Sequence, residues 1–203
     1  LLGRNGAGKS TLFSIFLGLL AADSGTIRVA GAPWSREVLD HVGASVNGPA
    51  FYGHLSAAAN LRVHTRLLGL PESEIERVLA IVGLNGAGKK KAKSFSTGMK
   101  ARLALGQALL GDPEILVLDE PQNGLDPQGI VELRELLQNL AGAGHTVIVS
   151  SHQLGESVHL AQDITILAEG TIRYSGSLKN LAPSGQLAAE FFRLTSPDGE
   201  AHV

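Results

Sequence analysis

Cysteine is absent from all 203 residues. That excludes a disulfide framework and suits a reducing compartment. No sign of charge dominates: 17 Lys and Arg stand against 19 Asp and Glu, so no global field draws in nucleic acid or an acidic membrane surface. Long apolar runs are missing as well. The longest, around Leu12 to Ala22, is about half of the roughly 20 residues that a membrane span requires. No signal peptide is visible. The expectation is a soluble chain, long enough to bury its own core, whose tie to a membrane would run through a partner.

What is present is strongly patterned. Ser10 to Leu20 is apolar on most sides and reads as a buried helix; Asp23 to Gly25 punctuates, and Thr26 to Ala30 reads as a short strand. Residues 56 to 82 read as two helices with Ser56 as N-cap and a break at Gly69-Leu70-Pro71. Residues 83 to 95 are a Gly- and Lys-rich loop, followed by a helix from about Thr97 to Leu110. Then "EILVLDE" (114–120) and "TVIVSSH" (146–152) are continuous apolar runs of the kind parallel strands show when both faces are covered. Between them a helix starts with Asp126 as N-cap and Pro127 in its first turn, and Ile130, Leu133, Leu137 and Leu140 mark its inner stripe. Residues 164 to 176 read as a hairpin turning at Glu169-Gly170. The fold class is α/β, a parallel-sheet core (1–46 and 105–203) with a helical insert (about 47–104).

Two stretches fit Gly-x-x-x-x-Gly-Lys: "GRNGAGKS" (3–10) and "GLNGAGKK" (83–90). One chance match in a chain this glycine-rich has odds of about one in ten, and requiring Ser or Thr next lowers them to about one in a hundred. Only the first copy passes, with Ser10. A hydroxyl there is a direct Mg²⁺ ligand, whereas the Lys90 ammonium would repel the ion. The first copy also opens a helix, so amides and helix dipole aim positive charge at phosphates. One nucleotide cradle is expected: Asn5, Gly6, Ala7 and Gly8 wrapping the phosphates, Lys9 reaching the β- and γ-phosphates, Ser10 on the metal and Thr11 beside it. Only Leu1 and Leu2 precede this loop as strand. The expectation is an absent N-terminal part of a few tens of residues that held antiparallel β structure, and poor folding and ATP binding for these 203 residues alone.

"ILVLDE" (115–120) ends in two carboxylates at the C-terminal lip of a core strand, where ligands of α/β sheets sit. Asp119 is placed to hold Mg²⁺ through water, and Glu120 to polarise the attacking water. "FSTGMK" (95–100) is a small-residue turn into a helix, a second positive N-terminus.

Taken in order, "GRNGAGKST", "FSTGM", "ILVLDEP", "NGLD" and "SSH" resemble the ATP-binding cassette (ABC) ATPases over essentially the whole chain. The resemblance implies a P-loop NTPase fold, ATP and Mg²⁺ as cofactors, and a head-to-tail dimer with ATP sandwiched between the P-loop of one subunit and the signature of the other. It further implies that Ser96 and Gly98 touch the partner's γ-phosphate. Asp126 would lie at the dimer seam, and His152 would sense the γ-phosphate and hold the lytic water. The implied partners are a second ATPase subunit and a transmembrane permease on a separate chain, with the cassette on the inner face of the membrane and no nucleic acid bound.

Three features depart from the family pattern. The Gln that links Mg²⁺ and lytic water to the permease falls at Asn47, which is one methylene shorter. The signature carries Thr97 where Gly is usual and Met99-Lys100 in place of Gln. The adenine-stacking aromatic belongs to a part that precedes Leu1, and neither Tyr52 nor Tyr174 is suitably placed. Ser-x-Gly-Met-Lys together with Pro49 to Tyr52 is similar to exporters of bacitracin and lantibiotic resistance. "KKKAK" (89–93) reads as a solvated face. The alternative functions are a non-transport cassette of translation or DNA repair, disfavoured by the compact insert, and a non-hydrolysing sensor, disfavoured by Glu120 and His152.

Overall fold

The computed structural model describes residues 1–48, 50–155, 161–182 and 186–196. The chain divides into two compact units, Leu1–Leu20 with the stretch from Val149 onward, and Ala21–Ile148.

In the first unit, helix α1 (Lys9–Phe16) starts at Gly8. Only Lys9 and Phe13 of this helix are buried, and Leu12, Leu19 and Leu20 are exposed. The sequence expectation of a buried helix over 10–20 is therefore corrected: a continuous apolar run does not show which of its faces finds a partner.

Leu2 bridges Ser151 and Ile166 in parallel. Its N–H donates to the Thr165 carbonyl and its own carbonyl accepts from Leu167, both at 2.7 Å. The hairpin turns at Glu169-Gly170 as expected, both residues taking positive φ. Among the described residues this unit holds two further helices, which the periodicity did not reveal, and Leu2 packs with Ile164, Ile166, Leu181, Leu187 and Phe191.

In the second unit, β1 (Arg28–Val29) and β2 (Ala32–Pro33) form a small hairpin around Ala30-Gly31. A sheet of order β3-β4-β5 follows, from β3 (Val42–Ser45), β4 (Ile115–Asp119) and β5 (Thr146–Ser150), the last belonging to this unit as far as Ile148. β3 runs parallel to β4, Gly43 opposite Leu116 and Ser45 opposite Leu118. Strand β3 escaped the sequence reading because it is only four residues long and two of them are Gly and Ser. Leu116, Val117 and Leu118 are fully buried, as the unbroken apolar run of β4 requires.

The helical part holds α2 (Ala57–Leu67), α3 (Ser73–Ile81) and α4 (Thr97–Ala108). Ser56 caps α2 as expected, accepting from Ala59 N–H at 3.1 Å, a contact worth about 1 kcal/mol. Ala57, Leu61, Val78, Val82 and Leu103 fill the centre of this packing. α5 (Pro127–Gly142) is capped by Asp126, whose Oδ1 accepts from Gly129 N–H at 2.8 Å.

Two polar side chains lie on the inner stripe of α2, Asn60 and Thr65. Asn60 is fully buried. Its amide donates to the carbonyls of Tyr52 (3.1 Å) and Ser56 (2.9 Å), and its Oδ1 accepts from Tyr52 N–H at 2.7 Å. A buried amide costs free energy unless its donors and acceptor are matched. Here they are matched by backbone of one loop.

Candidate functional site

The phosphate-loop candidate lies wholly in the first unit. Gly6 and Gly8 hold φ of 81° and 104°, a region that Cβ makes costly, so glycine suits the curl of this loop. Gly3 answers a different need, close approach: a Cβ there would stand 2.5 Å from the Leu167 carbonyl oxygen. From the hairpin tip, Gly170 N–H donates to the Ala7 carbonyl at 3.1 Å. Asn5, Gly6, Ser10 and Thr11 are exposed, while Ala7 and Lys9 are buried.

Lys9 folds back over this loop. Its ammonium donates to the Gly3 carbonyl at 2.9 Å and the Arg4 carbonyl at 3.4 Å, leaving the side chain 6% exposed. A glycine-turned loop opening a helix, with a lysine held over it, suits a phosphate chain chemically. The echo at 83–90 builds nothing comparable: Asn85–Ala87 is a single 3-10 turn with no α-helix behind it.

His152 belongs to the same unit. Gly3 N–H donates to the Ser151 carbonyl at 3.3 Å, so the residue after Ser151 is brought beside the start of the phosphate loop. Ser151 Oγ accepts from Gln153 N–H at 2.9 Å, a tight turn that holds His152 at its centre.

The other candidates lie in the second unit. Asp119 ends β4 and Glu120 follows it with φ 50°. A non-glycine residue in the left-handed region costs about 1–2 kcal/mol, and such strain collects where a side chain must be aimed. The Glu120 carbonyl accepts from Asn123 N–H at 3.1 Å, and Gln122, itself buried, extends its amide to within 3.5 Å of a Glu120 carboxylate oxygen. Asn47 also has positive φ, 59°, and is exposed just past β3.

Ser96 is the N-cap of α4, its Oγ accepting from Met99 N–H at 3.2 Å. The start of α4 meets the turn before α5: a Cβ on Gly98 would lie 3.9 Å from Leu125, and one on Gly124 would lie 3.3 Å from Thr97. An Arg102–Glu132 ion pair at 2.7 Å joins the same two helices. Ser96, Gly98 and Asp126 are thereby gathered at one end of this helix pair.

The ABC transporter family profile matches residues 1–123. The chain belongs to the ABC transporter ATPase family. It is 45% identical over 181 residues to the lantibiotic transport ATP-binding protein SrtF of Streptococcus pyogenes, covering 87% of this chain and 79% of that protein. It is 43% identical over 176 residues to the bacitracin transport ATP-binding protein BcrA of Bacillus licheniformis, covering 84% of this chain and 58% of that protein. Among solved structures, the fold superposes on cbiO1 of Clostridium perfringens, part of the ABC transporter complex cbiONQ. That match has a TM-score of 0.81 at 26% identity and covers 97% of this chain and 83% of the other. As a member of this family the chain is an ATP-binding ATPase of α/β P-loop architecture. No helix among the described residues is long and apolar enough to cross a membrane.

Two residues escaped the sequence reading. Asn60 carried a signal, being polar at the centre of the stripe Ala57, Asn60, Leu61. Gln122 carried none, since a glutamine after Glu-Pro reads as loop.

Proposed function

We propose that this ABC ATPase is the motor subunit of an exporter of the lantibiotic or bacitracin kind, dimeric in action, and seated on the inner face of the membrane through a separate permease. The observation that carries the reading is the 45% identity to a lantibiotic transport ATP-binding protein. Supporting it, Ser96 and Gly98 stand where a helix N-terminus offers amides to an anion.

In this reading the loop Asn5 to Thr11 binds the phosphates, with Lys9 neutralising their charge. Glu120 takes the proton of the attacking water, and His152 holds that water in line. Ser96 and Gly98 contact the γ-phosphate bound by the partner subunit, and Asp126 lies at the seam between subunits. Ser10, Asp119 through water, and Asn47 are the residues that would hold Mg²⁺, which would supply positive charge against the phosphates when bound. Because the stabilising donors are split between subunits, hydrolysis becomes conditional on dimerisation, and loss of the γ-phosphate loosens the pair.

The test is to tag the full-length protein and identify what copurifies from gently solubilised cells. A polytopic membrane protein at about one copy per cassette supports transport, following the subunit logic above. Ribosomes or DNA instead would assign the same ATPase to translation or repair.

A further inference from the structure

Asn60 does more than satisfy itself. The loop that its amide grips, Tyr52 to Ser56, begins five residues after Asn47 and is tied in turn to the chain that leads into Ser96. The Leu55 carbonyl accepts from Ala92 N–H at 2.9 Å and the Gly53 carbonyl accepts from Lys93 N–H at 2.8 Å. Ser56 and Lys91 form an antiparallel bridge. From there one 3-10 turn (Ala92–Ser94) and the buried Phe95 reach Ser96. The register of Ser96 therefore hangs on a loop whose shape is set by one buried amide.

We propose that Asn60 is a positioning residue for Ser96: by clamping the 52–56 loop to α2 it fixes the 91–93 segment and hence the signature serine. The inference rests on the proposed role of Ser96 at the γ-phosphate. Removing the side chain leaves the Tyr52 N–H and the Tyr52 and Ser56 carbonyls without their shared partner, and the loop gains freedom. A reacting group misplaced by about 1 Å can lose about 10² in rate, while nucleotide affinity, set by the phosphate loop, stays.

The experiment compares ATP turnover and ATP affinity in the full-length protein carrying Asn60→Ala, Thr65→Ala or Ser96→Ala. Thr65 is buried in the same helix and its hydroxyl donates to the Arg62 carbonyl at 3.0 Å, away from the 52–56 loop, so loss of that hydroxyl destabilises α2 without touching the clamp. Asn60→Ala is expected to lower kcat by about tenfold or more with KM for ATP within about twofold, and Thr65→Ala to lower the melting temperature with kcat kept.

A rescue decides further. A Cβ on Gly53 would lie 3.4 Å from the Lys93 Cβ, close to the spacing a disulfide spans, and these residues contain no other cysteine. Oxidising Gly53→Cys with Lys93→Cys should restore turnover to Asn60→Ala, and reduction should remove it. If Asn60→Ala does not fold alone, the oxidised triple variant carries the test, since it must turn over at the wild-type rate.

Unchanged kcat in Asn60→Ala, an equal loss in Thr65→Ala, or a formed disulfide that restores nothing overturns the inference. If Ser96→Ala itself keeps full turnover, the reading of the signature serine fails instead, which separates the two failures.

Discussion

Gly43 on β3 lies so close to the end of α4 that a Cβ there would collide with the Ala108 carbonyl oxygen and stand 2.8 Å from Cγ of Pro113. The strand that delivers Asn47 is thus seated against the helix that begins at Ser96. Gly43→Ala forces backbone apart where no flexible side chain can yield. The expected cost is about 1–3 kcal/mol, read as a lower urea midpoint at unchanged slope. A midpoint equal to wild type would mean that β3 has slack.

Glu120→Gln tests the base directly. Turnover should fall by about 10² to 10⁴ while ATP still binds, and an ATP-bound dimer should accumulate in gel filtration. Hydrolysis at the wild-type rate would remove Glu120 from the role. Glu120→Gly adds a stability readout. It relieves the left-handed backbone, worth about 1–2 kcal/mol, against roughly 0.5–1 kcal/mol of added chain entropy. Activity should vanish with no fall in melting temperature.

Asn47 holds φ 59°, a conformation that Asn tolerates better than most residues. Glutamine would restore the longer reach at some cost in backbone strain. Asn47→Gln should raise permease-stimulated turnover with a small drop in melting temperature. Stimulated turnover identical to wild type would show that the missing methylene is irrelevant to coupling.

Glu74 predicts an acid limit. It accepts from Arg77 twice (2.8 and 2.7 Å) and from Gly111 N–H at 2.9 Å. The Arg77 guanidinium holds its carboxyl below the usual glutamate value against the opposing effect of burial. A carboxyl whose pKa is lower in the folded state stabilises fully above its unfolded pKa, about 4.3. That stability is lost as pH falls through the folded value. Glu74→Gln should lower stability near pH 7 by about 1–3 kcal/mol and flatten the pH dependence below about pH 4.3. An equally steep acid limb in the variant would place the sensitivity elsewhere.

Much of this molecule was legible from residues at fixed short offsets. The caps at Ser56 and Asp126, the turn at Glu169-Gly170, the break before Pro71 and the glycine-turned loop that opens α1 are local: one side chain meets a backbone group three residues away, or one glycine permits one dihedral. The choice between "GRNGAGKS" and "GLNGAGKK" was local too, because a helix follows only the first.

What tertiary structure alone decided are relationships between residues far apart in the chain. Nothing near Asn60 in sequence announces that its amide will hold Tyr52 and, through Gly53 and Leu55, the approach to Ser96. Gly43 looks like a weak strand residue until α4 arrives against it. The exposure of Leu12, Leu19 and Leu20, and the left-handed backbone at Glu120, likewise depend on how packed elements meet. Local propensity is set by each residue's own sterics and hydrogen bonds; which faces come together is set by burial summed over the whole fold.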